Sequence, residues 1–430
     1  MESPSRSRTS GESRVADGRP APNADRRSAV AFLVGTLIYQ AGRLGLSLIA
    51  ARALGPQIFG DWVLISLLIV YLSAVGLGVT NGAGHQIPFR AGAGDAISAQ
   101  RIAEVATGAS VLAGVGAAVV AVAICAVILP NPSPATLALV GVAAALQHPF
   151  LLQQVLFRSW FAFGRAAFQL AFLGGVVLLG GIALLRYELD GLLMAQIVTF
   201  LVAVVAGSVL LPIQTRPRLD RATLHMLVRI GFPIMLAGFT FGLLTTLDRW
   251  LVASFLTRED VGYYGLVGIA LSGLLLLPQL LAQQFYPRMS FARGAGVPHG
   301  ELLSMAHRQG LLAGALVAGL AALTVVAAWA FVPLVLDNYR ESLLPLTIAC
   351  IGVVAYAFAS GYGNLLLAVD FFRRFLAIQV MAAGLNLALG IGFLSIGMGL
   401  PGVAAASAVG MAAYSMMLLR AATSAAAPRP

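Results

Sequence analysis

The chain has 430 residues, 59% of them hydrophobic and 10% charged, less than half the roughly 25% charge of a soluble globular protein. That composition excludes a soluble nucleic-acid-binding domain despite a net charge of +10, and it excludes a β-barrel because the apolar runs do not alternate with polar residues. Cys125 and Cys350 both lie inside apolar runs, where neither a disulfide framework nor a metal site is expected.

Residues 1–28 are rich in Ser, Arg, Pro and Gly and read as a disordered tail. The stretch Asp25-Arg26-Arg27-Ser28-Ala29-Val30 faintly resembles a twin-arginine signal, but many apolar segments follow, so the first one is read as an uncleaved helix. Apolar segments then fall at 29–51, 61–80, 104–129, 136–157, 167–185, 191–213, 230–251, 261–286, 309–336, 343–368, 375–396 and 399–420. Each is about the length needed to span roughly 30 Å of hydrocarbon as a helix. His148-Pro149 is expected to kink the fourth, since proline lacks a donor. Between the sixth and seventh, Leu219, Ala222, Met226 and Leu227 recur at helical spacing beneath Arg218, Arg221 and Arg229, which reads as an interfacial amphipathic connector over 214–229. The expected layout is therefore a tail (1–28), a six-helix lobe (29–213), the connector (214–229), a second six-helix lobe (230–420) and a short tail (421–430).

There is no lysine, so all 27 basic residues are arginine. With the N-terminal tail in the cytoplasm, 21 arginines fall in cytoplasmic segments and five (Arg52, Arg186, Arg249, Arg258 and Arg340) on the other side. Arg43 lies within the first span. This asymmetry follows the positive-inside rule and puts both termini in the cytoplasm.

The sequence also repeats itself. Ala53-Leu54-Gly55-Pro56-Gln57-Ile58-Phe59-Gly60-Asp61-Trp62 occupies the turn between spans one and two. Phe255-Leu256-Thr257-Arg258-Glu259-Asp260-Val261-Gly262-Tyr263-Tyr264 occupies the equivalent turn between seven and eight. His85-Gln86-Ile87-Pro88 and Gln284-Phe285-Tyr286-Pro287 form a second matching pair. A duplicated six-helix unit keeps its orientation in the membrane because six is even, so the fold expected is an all-α membrane protein of about twelve transmembrane helices. Its two lobes would be related by a pseudo-two-fold axis along the membrane normal.

The run Ala51-Arg52-Ala53-Leu54-Gly55-Pro56-Gln57-Ile58-Phe59-Gly60 resembles the signature after the first helix of the polysaccharide (O-antigen-type) flippases. These form a branch of the multidrug/oligosaccharidyl-lipid/polysaccharide exporter superfamily. Leu247-Asp248-Arg249-Trp250-Leu251-Val252 through Glu259-Asp260-Val261-Gly262-Tyr263-Tyr264, and Phe285-Tyr286-Pro287-Arg288, are similar to further segments of that family. The resemblance implies two lobes around a cationic cavity, alternating access, and an undecaprenyl-diphosphate-linked glycan as cargo in the bacterial cytoplasmic membrane. It implies membrane lipids, a polysaccharide polymerase and glycosyltransferases as partners, with no nucleic acid, no enzymatic activity and no cofactor. Coupling to H+ or Na+ is left open. A drug/cation antiporter of the same superfamily is the nearer alternative, but it would need buried carboxylates in the first lobe, and no Asp or Glu falls between Asp25 and Asp61 or deep in spans two to six. A glycan polymerase or ligase is the other, and lacks here the long outer loop such enzymes carry.

A flippase must strip water from a diphosphate, for which arginine's planar fork is suited. Arg43, about 21 Å along the first helix, is the leading candidate; a mid-membrane arginine costs about 2.5–3.5 kcal/mol even on permissive scales. Arg249, Arg158, Arg90 and Arg288 are further diphosphate candidates, and Gln40, Gln154, Gln284 and Asn364 are candidates for hydrogen bonding to glycan. Arg43 and Asp248 are expected to form a gate between the repeat-related first and seventh helices. Single cysteines test the topology: positions 216 and 293 should label from the cytoplasmic side and 340 from outside, and external labelling at 216 would invert it.

Overall fold

The computed structural model describes residues 22–424 apart from 370, with side chains from 28 onward except those of 29, 284, 287, 291, 294 and 370. Twelve α-helices account for nearly all of it, with no strand among the described residues. They are α1 (Pro22–Leu72), α2 (Val79–Gly92), α3 (Ala96–Ile128), α4 (Pro134–Ser159), α5 (Phe163–Leu184), α6 (Glu188–Leu210), α7 (Arg221–Phe255), α8 (Arg258–Gly294), α9 (His299–Val335), α10 (Leu343–Ala368), α11 (Phe372–Ser395) and α12 (Gly399–Ser424). Ten apolar stretches are long enough to cross a bilayer, and two of them, Val30–Gly76 and Phe163–Leu210, run 47 and 48 residues and so hold two crossings each.

Most of the expected 1–28 tail lies outside the described residues, but its end is helical rather than disordered. Helix α1 begins at Pro22, where proline's missing N–H leaves no bond unmade. Residues 425–430 of the expected C-terminal tail are likewise outside the described residues. The 214–229 connector is not a separate helix: residues 211–220 are non-helical, and α7 starts at Arg221 and runs without a stop through the seventh span. Leu227 and its partly buried neighbours Leu224 and Met226 pack against Ala99, Ile102, Ala106 and Leu152, so the apolar stripe faces protein rather than an interface. At the head of α7, Asp220 accepts hydrogen bonds from the Thr223 hydroxyl (2.6 Å) and the Ala222 amide (3.3 Å). The Thr223 bond, with Arg101 at 3.0 Å, holds its carboxyl below the usual carboxylate range.

Two compact units result, beside the lobes 29–213 and 230–420 expected from the sequence. One takes the chain up to Leu46 together with Leu68–Leu236, and the other takes Ser47–Leu67 together with the chain from Ala237. Each buries its own apolar core. In the first, α4 packs on α3 and α6, α6 on α5, and α3 on α2; in the second, α10 packs on α9 and α12, α12 on α11, and α9 on α8. The order of partners is the same in both, and α4 and α10 are each 26 residues long, as duplication predicts. Within the first unit an amide network ties three helices. Gln169, 1% exposed, donates to Gln153 Oε1 (2.9 Å) and the Ala203 carbonyl (2.8 Å) and accepts from Gln154 (2.8 Å), while Gln153 donates to the Val204 carbonyl. Polar groups in an apolar interior must be satisfied in this way.

The two repeated turns meet inside the second unit. At Gly55 the backbone leaves the helical region (φ 72°, ψ 172°), and Pro56 cannot return a bond to the preceding turn, so α1 breaks there. Helix α8 opens on a reciprocal cap, with the Thr257 amide and hydroxyl bonded to Asp260 Oδ2 and the Asp260 amide bonded to the Thr257 hydroxyl. Gly60 and Gly262 then lie against one another's segments: a Cβ on Gly60 would collide with the Arg258 carbonyl oxygen, and one on Gly262 with that of Pro56. Each glycine thus abuts the residue four before the other, a local two-fold relation between repeat-related positions. Tyr339, 1% exposed, wedges beside them. Its hydroxyl donates to the Ala51 carbonyl (3.0 Å), one of the oxygens left over at a helix end, and its ring meets Phe59 and Tyr263 edge-on. Arg258 forms an ion pair with Asp61, the two side chains 27% and 15% exposed.

Because that pair is partly shielded from water, it should exceed the ~0–1 kcal/mol of a surface salt bridge. A double-mutant cycle of Asp61→Asn and Arg258→Gln, read by thermal unfolding in detergent, should give a coupling of about 1–3 kcal/mol. Gly262→Leu should lower the unfolding temperature more than either charge change, since backbone must move to admit it; a neutral Gly262→Leu would contradict the packing described.

Candidate functional site

Three constellations carry polar chemistry in this apolar molecule. The first is on α1. Arg43 is exposed, its guanidinium 5.9 Å from the Tyr39 ring centre, and among the described residues no carboxylate lies within ion-pair distance of it. Gly42 beside it packs against the backbone of Gly174 on α5, which fixes the rotation of this stretch and presents Arg43 on an open face. Gln40 is half-buried one turn away. The remaining first-unit candidates are engaged locally. Arg90 is 3.9 Å from Asp95, Arg158 donates to the Gln154 carbonyl (3.1 Å), and the Gln154 amide gives one N–H to the helix-tying network.

The second constellation is the interior of the second unit around Asp248. This side chain, on α7, is 1% exposed and is the one carboxylate among the buried groups of the described residues. Its Oδ1 accepts the Arg249 amide (2.8 Å) and its Oδ2 the Tyr264 hydroxyl (3.0 Å). No basic side chain is within ion-pair distance of it among the described residues. Helices α7 and α11 run in step here: Thr240 donates to Gln379 (2.8 Å), and eleven residues further along both, Leu251 touches Gly390. On that register Asn386 falls one residue short of the level of Asp248. Asn386 is 0% exposed and neither of its amide atoms has a partner, and Ser407 of α12, 2% exposed, comes in beside Asp248 from the other side. Arg249 points elsewhere, its guanidinium lying over Gly268 of α8 with Nε unpartnered.

The expected gate pairs Arg43 of the first unit with Asp248 of the second; within the second unit Asp248 is 1% exposed, with Tyr264 of α8 and Ser407 of α12 against it. The charged contact between the repeat-related turns is Asp61 with Arg258. Sequence reasoning looked for charges within the spans, and missed that both partners sit in the repeated turn itself, one residue past Gly60 and four before Gly262. Arg288 is exposed near the end of α8, and the Gln284 side chain lies outside the described residues.

The third constellation is a cavity of about 240 Å³ within the second unit. Asn364 lines it, together with Phe241, Tyr356, Ser360, Gln379 and Tyr414. Asn364 Nδ2 donates to Gln309 Oε1 (3.0 Å). The tyrosines escaped the sequence reading because single aromatics in apolar runs have no distinguishing pattern.

No protein-family model matches this chain, and no curated protein does. Solved structures do. The chain is similar to a multidrug resistance MATE family transporter of the MOP superfamily in an inward-facing conformation (TM-score 0.76, 14% identity, covering 93% of this chain and 98% of that one). It is also similar to a transporter of the same description in an outward-facing conformation (0.63, 15%, 99% and 100%). A third is a MOP superfamily transporter from Pyrococcus furiosus described as having a binding pocket of reverse polarity that suggests a different function (0.60, 15%, 98% and 99%). At these identities the likeness establishes the fold: this chain is a multi-pass membrane protein with the architecture of MATE transporters of the MOP superfamily.

Proposed function

We propose that this protein is an alternating-access flippase that carries an undecaprenyl-diphosphate-linked oligosaccharide from the cytoplasmic to the outer leaflet of a bacterial inner membrane, with both termini in the cytoplasm. The observation that carries this reading is Arg43: a guanidinium exposed in mid-span, without a counter-ion among the described residues, is costly unless an anion visits it. The first unit correspondingly buries no carboxylate among its described residues, which weighs against a site for organic cations. That a neighbour of this fold is described with reversed pocket polarity supports the view that the architecture does not dictate the charge of its cargo.

On the topology read from the arginines, the Gly60–Gly262 contact with its Asp61–Arg258 pair lies at the outer end of the spans of the second unit. The buried carboxyl of Asp248, with Tyr264 and Ser407 beside it and the unpartnered Asn386 amide buried in the same unit, is the group best placed to take up a coupling cation, H+ or Na+. A carboxylate so enclosed requires a proton or a cation to offset its desolvation.

Arg43→Ala should reduce glycan export at least tenfold with protein abundance unchanged, and wild-type export in that variant would remove the arginine from the reading. Asp248→Asn should leave the protein folded but insensitive to collapse of the proton or sodium gradient; a variant that still responds to both gradients would exclude Asp248 from coupling.

A further inference from the structure

The cavity in the second unit has a composition that the charge chemistry above does not use. Helices α7, α10, α11 and α12 line it with twelve residues, none of them charged. One wall is aromatic and continuous: Phe241 and Tyr356 have ring centres 5.4 Å apart, and Tyr356 stacks on Tyr414 at 6.2 Å with 19° between planes. The rest of the lining is mostly apolar, with three neutral polar side chains, Ser360, Asn364 and Gln379. Ser360 donates to the Ala357 carbonyl (2.9 Å) and keeps its lone pairs. Asn364 spends one of its two N–H donors on Gln309 Oε1 and keeps the other and its carbonyl oxygen, while Gln309 behind it, 0% exposed, has Nε2 without a partner. Gln379, 1% exposed, accepts from Thr240.

We infer that this cavity is a subsite for one uncharged sugar ring of the cargo, an inference that rests on the flippase reading. A pyranose has an apolar C–H face and a rim of hydroxyls, and the cavity offers the near-parallel Tyr356 and Tyr414 rings, with Phe241 tilted 40° to Tyr356, and amide and hydroxyl groups beside them. A volume of about 240 Å³ is below the roughly 300–1,000 Å³ of drug-sized pockets, so it takes a single ring and not a whole repeat unit. A diphosphate would find no cation here, and an organic cation would find aromatic faces without a carboxylate among the lining residues. By the arginine topology the lining residues belong to the cytoplasmic half of their helices, where a lipid-linked sugar enters.

The test uses the full chain in nanodiscs and two probes: undecaprenyl diphosphate alone and the same carrier bearing one N-acetylhexosamine. The wild type should bind the sugar-bearing carrier at least tenfold more tightly. Tyr356→Leu should bring that ratio close to one without changing affinity for the bare carrier, and the milder Ser360→Ala, which removes no packing volume of note, should lower it several-fold. A ratio of one in the wild type, or one that neither variant moves, overturns the subsite. Equal loss for both probes assigns the cavity to the lipid and also overturns it, as does tetraphenylphosphonium binding that disappears in Tyr356→Leu. Failure of the wild type to bind even the bare carrier is a different result, and refutes the flippase reading itself.

Discussion

Two glycines set the geometry on which the second unit depends. Gly60 and Gly262 bring backbone against backbone where any side chain would collide with a carbonyl oxygen, and in an apolar medium such close approach substitutes for the hydrophobic force that lipid does not supply between helices. The surrounding features follow from that contact. The Gly55–Pro56 break delivers Gly60, the Thr257–Asp260 cap delivers Gly262, Tyr339 seals the flank, and Asp61 reaches Arg258 across it. Because the contact joins Ser47–Leu67 to helices that come two hundred residues later, the packing units exchange segments relative to the sequence repeat.

Polar groups in this molecule sort into two kinds according to whether they are satisfied. The Gln153–Gln154–Gln169 network uses its hydrogen bonds internally, joining α4, α5 and α6, and has the character of structure. Arg43, Asn386, and Gln309 behind Asn364 are left with unmet needs: a guanidinium without an anion and amides without partners. An unmet group in a low-dielectric interior is expensive. Its retention fits a protein whose groups are satisfied in turn by a cargo or a coupling ion that comes and goes.

Much of the fold was legible because membrane physics leaves few options. Eleven of the twelve apolar runs fall on single helices, the run 61–80 instead crossing from α1 to α2, and the duplication inferred from two short motifs reappears as the same order of helix partners in both units. What was not legible depended on contacts between distant segments. The stripe of Leu219, Ala222, Met226 and Leu227 is amphipathic whether it meets a bilayer or a protein, and only the fold shows Leu227 buried against α2 and α3. Asp248 stood out in the sequence as a gate candidate; its enclosure by Tyr264 and Ser407 arises from packing of α8 and α12 that the sequence does not state. The candidate arginines were identifiable by type, but that Arg90 and Arg158 are engaged locally while Arg43 is exposed beside Tyr39 required the side-chain geometry.

The central claim is that an exposed arginine in this fold serves an anionic, glycan-bearing lipid and not a cationic drug. Reconstitution into sealed vesicles, with a lipid-diphosphate-linked oligosaccharide in one leaflet and a cationic dye such as ethidium in the lumen, tests it directly. The account predicts protein-dependent movement of the glycan lipid between leaflets and no dye transport. Dye transport without movement of the glycan lipid would contradict it.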